Sequence, residues 1–175
     1  MTSSSRIPLV LGNWKMNTTL DDAAALAGST NAAASEHPEV ETGILPPAIW
    51  LVPLAMQLGN DSAVLLGTQD VAAEPPGAFT GDIAAEMLAP YTRFMLVGHS
   101  ERRHLRGETD SVIRAKLDAV YRVDRIPVLA VGETEDQRRS GRAAAVVAAQ
   151  LDAALRNRTR DELQRLVIAY EPVWA

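Results

Sequence analysis

The chain has 175 residues, of which 47% are hydrophobic and 22% are charged, and these proportions exclude a disordered or fibrous protein. No apolar run approaches the roughly 20 residues needed to cross a bilayer, and the first residues lack the apolar region of a signal peptide. We therefore expect a cytoplasmic protein that is not associated with a membrane. The absence of cysteine excludes disulfides, thiolate metal sites and thiol nucleophiles.

The charged residues limit the kinds of partner. Seventeen basic and 22 acidic side chains give a net charge of −5, so a nucleic-acid-binding surface is not expected, although a single anionic pocket is compatible with this balance. Lysine occurs only at positions 15 and 116, which leaves two candidates for chemistry that needs an ammonium group. The three histidines lack the spacing of metal ligands, and we place His37 and His104 at the surface.

Six short, almost entirely apolar runs predict β-strands that are covered on both faces, as in a parallel sheet. In chain order they are 7–11, 42–45, 63–67, 94–98, 127–132 and 166–170. Between them, apolar residues recur with helical period at 112–124 and at 147–155. Two capping boxes predict helix starts, Thr134 with Gln137 and Thr159 with Glu162.

Proline and glycine interrupt this pattern at two places. Pro53 lies inside the helical segment 47–59 and should kink or restart the helix there. A cluster of such residues after the third strand predicts a long loop: Pro75, Pro76, Gly77 and Gly81.

The alternation of strand and helix, repeated about six times without a linker, predicts a single α/β domain over residues 1–175 with a parallel sheet. An open doubly wound sheet and a (β/α)8 barrel both fit this order. The glycine-rich dinucleotide fingerprint is missing after the first strand, where Gly12 is followed by Asn13 and Trp14, and this disfavours a dinucleotide-binding protein. Periodicity by itself does not choose between the barrel and the open sheet.

Polar residues cluster directly after the predicted strands, at the edge of the sheet where parallel α/β proteins carry their active sites. They are Asn13, Lys15, Gln69, Asp70, the run His99, Ser100, Glu101, Arg102 and Arg103, and then Glu133 and Glu171. An amide, an ammonium, an imidazole and carboxylates in one crevice are typical of an enzyme. Taken singly, several also have a structural interpretation, as an ion-pair network (Glu101, Arg102, Arg103) or as packing residues (Gln69, Asp70, Glu133).

Several of these segments resemble one family. Gly-Asn-Trp-Lys-Met-Asn at 12–17, Val-Gly-His-Ser-Glu-Arg-Arg at 97–103 and Ala-Tyr-Glu-Pro-Val-Trp-Ala at 169–175 are similar to the first-, fourth- and sixth-strand motifs of the triosephosphate isomerases. Gly-Ala-Phe-Thr-Gly at 77–81 resembles the loop with which one subunit of that family reaches into the other. The resemblance implies a (β/α)8 TIM barrel that is incomplete, with about six βα units and without strands seven and eight. It also implies a homodimer of the full-length form, with Thr80 near the partner's active site.

The same resemblance implies an activity, the interconversion of D-glyceraldehyde 3-phosphate and dihydroxyacetone phosphate in glycolysis and gluconeogenesis, with a small phosphorylated sugar as substrate. Asn13 and Lys15 would contact the substrate, His99 would polarise its carbonyl and Glu171 would move the proton. Glu101 would sit beside Lys15, and Ser100 would be a supporting residue. The pairing of a carboxylate base with a neutral histidine is a known property of this family and does not come from the spacing.

These residue types suit the reaction on physical grounds. Removing a proton from a carbon next to a carbonyl requires a base, and it requires donors that stabilise the developing enediolate. A carboxylate takes and returns the proton without a metal or a cofactor, so neither is expected. A neutral imidazole at a helix N-terminus serves as the donor, because the helix dipole disfavours the cationic form.

Two features depart from the family pattern. Ala130 stands where the family commonly has cysteine, which affects packing behind the carboxylate but no proton-transfer group. A (β/α)8 barrel typically needs about 250 residues, whereas the sequence stops shortly after Glu171, before the lid of strand six and the phosphate loops of strands seven and eight. We therefore expect open edges at the first and sixth strands, low stability and poor activity.

Three hypotheses remain. The chain is the amino-terminal portion of a triosephosphate isomerase that is competent only in its full-length form, which is the hypothesis we favour. Alternatively, it is a paralogue that isomerises a related sugar phosphate. A third hypothesis is a truncated barrel without catalysis, which serves as a binding or assembly module through the loop of Thr80.

Overall fold

The computed structural model describes residues 7–174, and within them the chain alternates strands and helices. The six strands are β1 (Leu9–Asn13), β2 (Glu41–Leu45), β3 (Val64–Thr68), β4 (Phe94–Val97), β5 (Ile126–Val131) and β6 (Val167–Tyr170). All six strands expected from the apolar runs are confirmed, with small shifts at the ends. These shifts arise because the hydrogen-bonded ladder is set by the backbone: it leaves out some apolar residues of the runs and takes in flanking polar residues such as Asn13, Glu41 and Thr68.

Eight α-helices lie between and beside the strands. They are α1 (Leu20–Glu36), α2 (Leu51–Leu58), α3 (Ala85–Leu88), α4 (Ser100–Leu105), α5 (Asp110–Arg122), α6 (Glu135–Arg139), α7 (Ala143–Leu155) and α8 (Arg160–Arg165), counted over the described residues. Two short 3-10 turns, Ala48–Trp50 and Ala89–Tyr91, precede α2 and follow α3. The segment between β3 and α3 is irregular, which confirms the predicted loop.

Local sequence signals set the helix starts. The Thr134 and Thr159 side chains accept hydrogen bonds from the third helical residues of α6 and α8, which confirms both predicted capping boxes. Pro53 lies in the first turn of α2, where a backbone N–H has no partner within the helix, so proline is tolerated there. The α-helix begins at Leu51, directly after the 3-10 turn, and continues through Pro53, so the helix does not restart at the proline itself.

The strand order of the sheet is β1-β2-β3-β4-β5-β6. A doubly wound sheet reverses its strand order at a switch point, whereas the strands of a β/α barrel follow one another in chain order. The structure therefore resolves the alternative that periodicity left open in favour of the barrel order. None of the helices among the described residues combines the length and the apolar character needed to cross a membrane.

The described chain divides into two compact units, and the prediction of a single domain over 1–175 stays a prediction. The first unit comprises 7–69 and 91–94. In it, β1 pairs parallel with β2, and β2 pairs parallel with β3. Helices α1 and α2 contact each other and β3, and the core consists of small and aliphatic side chains together with one aromatic ring: Ala23, Ala27, Ile44, Leu45, Leu51, Leu54, Leu66 and Phe94.

The second unit comprises 70–90 and 95–174. Here β5 pairs parallel with β6, with Val128 opposite Val167 and Val131 opposite Tyr170. Helices α5 and α7 contact each other and β5. Strand β5 is buried over most of its length, whereas Ile168 and Tyr170 of β6 are about half exposed, at 50% and 54%. The side chains of β6 are therefore less covered than those of β5.

Candidate active site

His99 lies in the turn between β4 and α4, and its backbone forms the N-cap of that helix. The turn needs glycine at position 98, where φ is +74° and an added Cβ would lie 3.1 Å from the carbonyl oxygen of Ala130. Left-handed backbone is costly for other residues, and the contact leaves little room for a side chain. The imidazole of His99 is buried, with only 6% of the residue exposed.

The hydrogen bonds of His99 define its tautomer. The backbone N–H of Glu101 donates to Nδ1 at 3.2 Å, so Nδ1 is an acceptor and Nε2 carries the proton in the neutral ring. The Glu101 carboxylate oxygen Oε2 is 3.4 Å from Nδ1, but the lone pair of that nitrogen is already engaged by the amide. The ring therefore presents an N–H at Nε2.

Glu171 meets that N–H. It follows β6 directly, and its backbone N–H donates to the carbonyl oxygen of Val131 at 2.8 Å, which continues the parallel ladder. Its carboxylate oxygen Oε1 lies 2.7 Å from Nε2 of His99, and Oε2 accepts a hydrogen bond of 3.4 Å from the backbone N–H of Ser100. The structure thus brings together His99, Ser100, Glu101 and Glu171, which the sequence placed after two different strands.

Glu133 is completely buried behind this site. Its carboxylate accepts hydrogen bonds from the Tyr170 hydroxyl at 2.9 and 3.0 Å, from Nε1 of Trp174 at 3.2 Å and from Nη1 of Arg138 at 3.2 Å. Burial opposes ionisation, but these donors and a backbone N–H outweigh it and hold the pKa of the Glu133 carboxyl below its usual value. The same bond to the carboxylate raises the pKa of the Tyr170 phenol.

Glu133 therefore holds the segment that carries Glu171 from both sides, at Tyr170 and at Trp174. The sequence left Glu133 undecided between a structural and a functional role. Its position two residues after β5 was the available signal, but Tyr170 and Trp174 lie some forty residues further along the chain and no local pattern pairs them with it.

Lys116, the second lysine, is used within a buried ionic cluster. Its Nζ donates to both carboxylate oxygens of Asp70, at 2.6 and 2.8 Å, and to Oε1 of Glu108 at 2.6 Å. Arg102 contacts the same two carboxylates through Nε. Burial raises the pKa of Asp70 despite its cationic partners, whereas hydrogen bonds from Lys116 and Arg102 overcome burial and lower the pKa of Glu108. Arg103, the other arginine of the predicted ion-pair network, pairs with Asp110.

In the first unit, Asn13 is the last residue of β1 and Lys15 lies two residues beyond it. The Asn13 side-chain oxygen accepts a hydrogen bond of 3.0 Å from the backbone N–H of Lys15, whose φ of +53° is left-handed. Nε2 of Gln69 donates to the carbonyl oxygens of Lys15 and Leu45, at 2.8 Å each. Gln69, which the sequence left undecided, thus ties the strained Lys15 peptide to the end of β2.

The remaining predicted residues are on the surface. Thr80 is exposed in the irregular segment before α3, next to Gly81 with a φ of +94°. His37 and His104 are exposed, as predicted. The described part of the chain contains no group of three or more side chains suited to a metal ion.

Strands that follow in chain order, with an imidazole and a carboxylate paired after β4 and β6, define an α/β-barrel protein with a candidate acid–base site. The family model of triosephosphate isomerase matches residues 8–175. The chain belongs to the triosephosphate isomerase family, and its fold is that of an incomplete TIM barrel.

Individual relatives agree with this assignment. The triosephosphate isomerases of Psychromonas ingrahamii and Dechloromonas aromatica are 42% and 46% identical to the chain, over 97% of its length and 68% of theirs. The crystal structure of triosephosphate isomerase from Bartonella henselae matches with a TM-score of 0.86 and 34% identity, over 97% of this chain and 70% of that one. The chain thus spans about two thirds of the length of these relatives.

Proposed function

We propose that this chain carries the site of a triose-phosphate isomerase, which interconverts D-glyceraldehyde 3-phosphate and dihydroxyacetone phosphate by proton transfer through an enediolate. The observation that carries the proposal is the 2.7 Å contact between Nε2 of His99 and Oε1 of Glu171 in a member of this family. The family assignment does not favour the paralogous isomerase or the non-catalytic module. The reaction forms part of glycolysis and gluconeogenesis.

The pairing of His99 with Glu171 suggests how the groups act. A substrate carbonyl oxygen that enters the site accepts a hydrogen bond from Nε2–H of His99. It thereby replaces Oε1 of Glu171 as the acceptor. The released carboxylate becomes a stronger base, because it has lost a hydrogen bond to its charged form. It removes the proton from one carbon and returns it to the next, while the Nε2–H stabilises the negative oxygen of the enediolate.

The other roles follow the family motif. Lys15 supplies a fixed positive charge to the enediolate and the phosphate, and Asn13 contacts the substrate. Asn13 also accepts the Lys15 amide and so supports the strained backbone that presents the lysine. Glu101 orients His99 through its backbone N–H, and Ser100 holds Oε2 of Glu171 through its own.

The assembly is a homodimer in this proposal, with Thr80 reaching the partner's active site. Support comes from the match of 77–81 to the family's intersubunit loop and from the exposure of Phe79 within it, at 46%. The expected cytoplasmic location and the expected independence from metals and cofactors stay predictions of the sequence.

An isomerase assay on the 175-residue chain tests the proposal, with Glu171→Gln and His99→Gln as variants. We expect Glu171→Gln to lower kcat about 10³-fold, since the base is removed at almost constant volume. Glu36→Gln, which changes an exposed carboxylate on α1, is the matched control and should leave kcat unchanged. The assignment fails if the turnover of the chain survives Glu171→Gln.

A further inference from the structure

Gln150 of α7 makes two hydrogen bonds to one peptide. The backbone N–H of Gly132 donates to Oε1 of Gln150 at 2.9 Å, and Nε2 of Gln150 donates to the carbonyl oxygen of Gly132 at 3.0 Å. A primary amide is the side-chain group that offers a donor and an acceptor side by side. The Gln150 side chain therefore takes the place of a neighbouring strand at Gly132.

Gly132 needs such a partner because it lies just beyond the end of β5. The carbonyl oxygens of the residues on either side of it, Val131 and Glu133, accept from the backbone N–H groups of Glu171 and Val173, at 2.8 and 3.0 Å. The N–H and C=O of Gly132 itself are taken by Gln150. The ladder that leads into the site is thus completed by backbone at two residues and by one side chain at the residue between them.

Gly132 is also in very close contact with the residue that carries the proposed base. A Cβ added at this position would lie 1.9 Å from the carbonyl oxygen of Glu171 and 3.0 Å from the backbone nitrogen of Pro172. The peptide of Gly132 therefore lies between the Gln150 amide and the Glu171–Pro172 peptide. A shift of Gly132 toward Glu171 meets backbone atoms at once, so the two peptides have to move together.

We propose that Gln150 is a positioning residue for Glu171 and acts through Gly132. In this role Gln150 contacts neither His99 nor the reacting atoms. The inference rests on the proposed function. Misplacement of a catalytic group by about 1 Å is enough to cost on the order of 100-fold in rate. The contact of 2.7 Å between Glu171 and His99 is set by backbone that Gln150 holds in register.

The experiment compares the 175-residue chain with Gln150→Leu and Gln150→Glu. Leucine keeps much of the volume and removes both hydrogen bonds. Glutamate keeps the acceptor for the Gly132 N–H but sets a second oxygen against the Gly132 carbonyl oxygen. The matched control is Gln57→Leu, because the Gln57 side chain also donates to a backbone carbonyl oxygen, that of Ala24 at 2.8 Å, but in the first unit.

We expect both Gln150 variants to lower kcat about tenfold or more, with KM within about twofold of the wild type, whereas Gln57→Leu leaves both constants unchanged. A loss confined to KM, or an unchanged kcat in an active wild-type background, overturns the inference while the proposed function stands. If Gln150→Leu fails to fold, the kcat and KM of Gln150→Glu test the inference.

Amide hydrogen exchange gives a second readout that does not depend on turnover. We expect the amides of Gly132 and Glu171 to exchange about tenfold faster or more in the variants, with the amide of Ala23 in α1 unchanged. If the activity of the wild-type chain is too low to measure, exchange alone judges the positioning. Unchanged exchange at Glu171 then overturns it, and faster exchange supports it.

Discussion

The hydroxyl of Tyr170 donates to both carboxylate oxygens of Glu133, at 3.0 and 2.9 Å. Because Tyr170 directly precedes Glu171, this interaction anchors the backbone next to Glu171. The carboxylate is completely buried, so its charge is tolerated only because four donors surround it. Oε1 accepts from Arg138, Tyr170 and Trp174, whereas Tyr170 is the side chain that donates to Oε2. The stability of the β6 end thus depends on an interaction between a residue of β6 and one that follows β5.

Glu133→Gln should lower the thermal midpoint by about 3–6 °C at pH 7, since the amide cannot accept from all four donors. Because the folded-state pKa of Glu133 lies below its unfolded value, the stability that its ionisation contributes is fully present above about pH 4.3 and is lost as the pH falls further. The difference in the free energy of unfolding between wild type and variant should therefore become smaller below that pH. Denaturant titrations from pH 7 to pH 3 measure this, with Glu36→Gln as the control, and a gap that widens in acid would contradict the assignment.

Lys116→Met should destabilise the chain by about 3 kcal/mol or more, because it leaves the carboxylates of Asp70 and Glu108 short of a buried cation. Only 6% of the Lys116 side chain is exposed. Lys15→Met makes the same change at an exposed lysine and should alter stability by less than about 1 kcal/mol. Urea unfolding compares the two variants. Equal effects at both positions would show that the buried cluster contributes little.

Gly132→Ala should severely destabilise the second unit, since the new methyl group would stand 1.9 Å from the carbonyl oxygen of Glu171. The backbone has to separate to admit it, which breaks the ladder at the site. Gly28→Ala is the matched control. It lies inside α1, where the nearest atom to an added Cβ is 3.7 Å away, and should stabilise the helix by about 0.5–1 kcal/mol. Thermal unfolding followed by circular dichroism compares the two variants. A Gly132→Ala variant as stable as the wild type would refute the close approach of Gly132 to the Glu171 carbonyl oxygen.

Thr18→Gly should stabilise the chain by about 1 kcal/mol. Thr18 has a φ of +80°, a costly conformation for a β-branched residue, and its buried hydroxyl has no hydrogen-bond partner within residues 7–174. Asn157→Gly is the control, because asparagine tolerates its φ of +64° and little strain is relieved there. The free energies of unfolding of the two variants are the measurement. An equal gain at both positions would mean that Thr18 carries no special strain.

The elements of this fold were predictable where the signal is local. Apolar runs located all six strands, and the pairs Thr134 with Gln137 and Thr159 with Glu162 located two helix starts. The choice between a barrel and an open sheet was not local, because it depends on which strands become neighbours. The resemblance of the motifs to the family implied the barrel, and the strand order of the folded sheet confirmed it.

The candidate site divides in the same way. Its residue types, and their positions after the strands, were visible in the chain, and the motifs around His99 and Glu171 indicated the family. The uses of Lys116, Glu133 and Gln150 were not visible, since each depends on partners in distant elements. Lys116 in particular was one of two candidates for chemistry, and only its burial between Asp70 and Glu108 showed that it serves an ionic cluster.

The amino-acid sequence by itself determined the order of strands and helices, the residues offered at the strand ends and the family to which they belong, because these are properties of short segments. The tertiary structure alone decided that His99 presents Nε2–H to Glu171 and that Gly132 and Glu133 brace the backbone behind it. The physical reason is that a hydrogen bond requires two groups to be within about 3 Å in a fixed orientation. Residues far apart in the chain meet that condition only after the strands have paired.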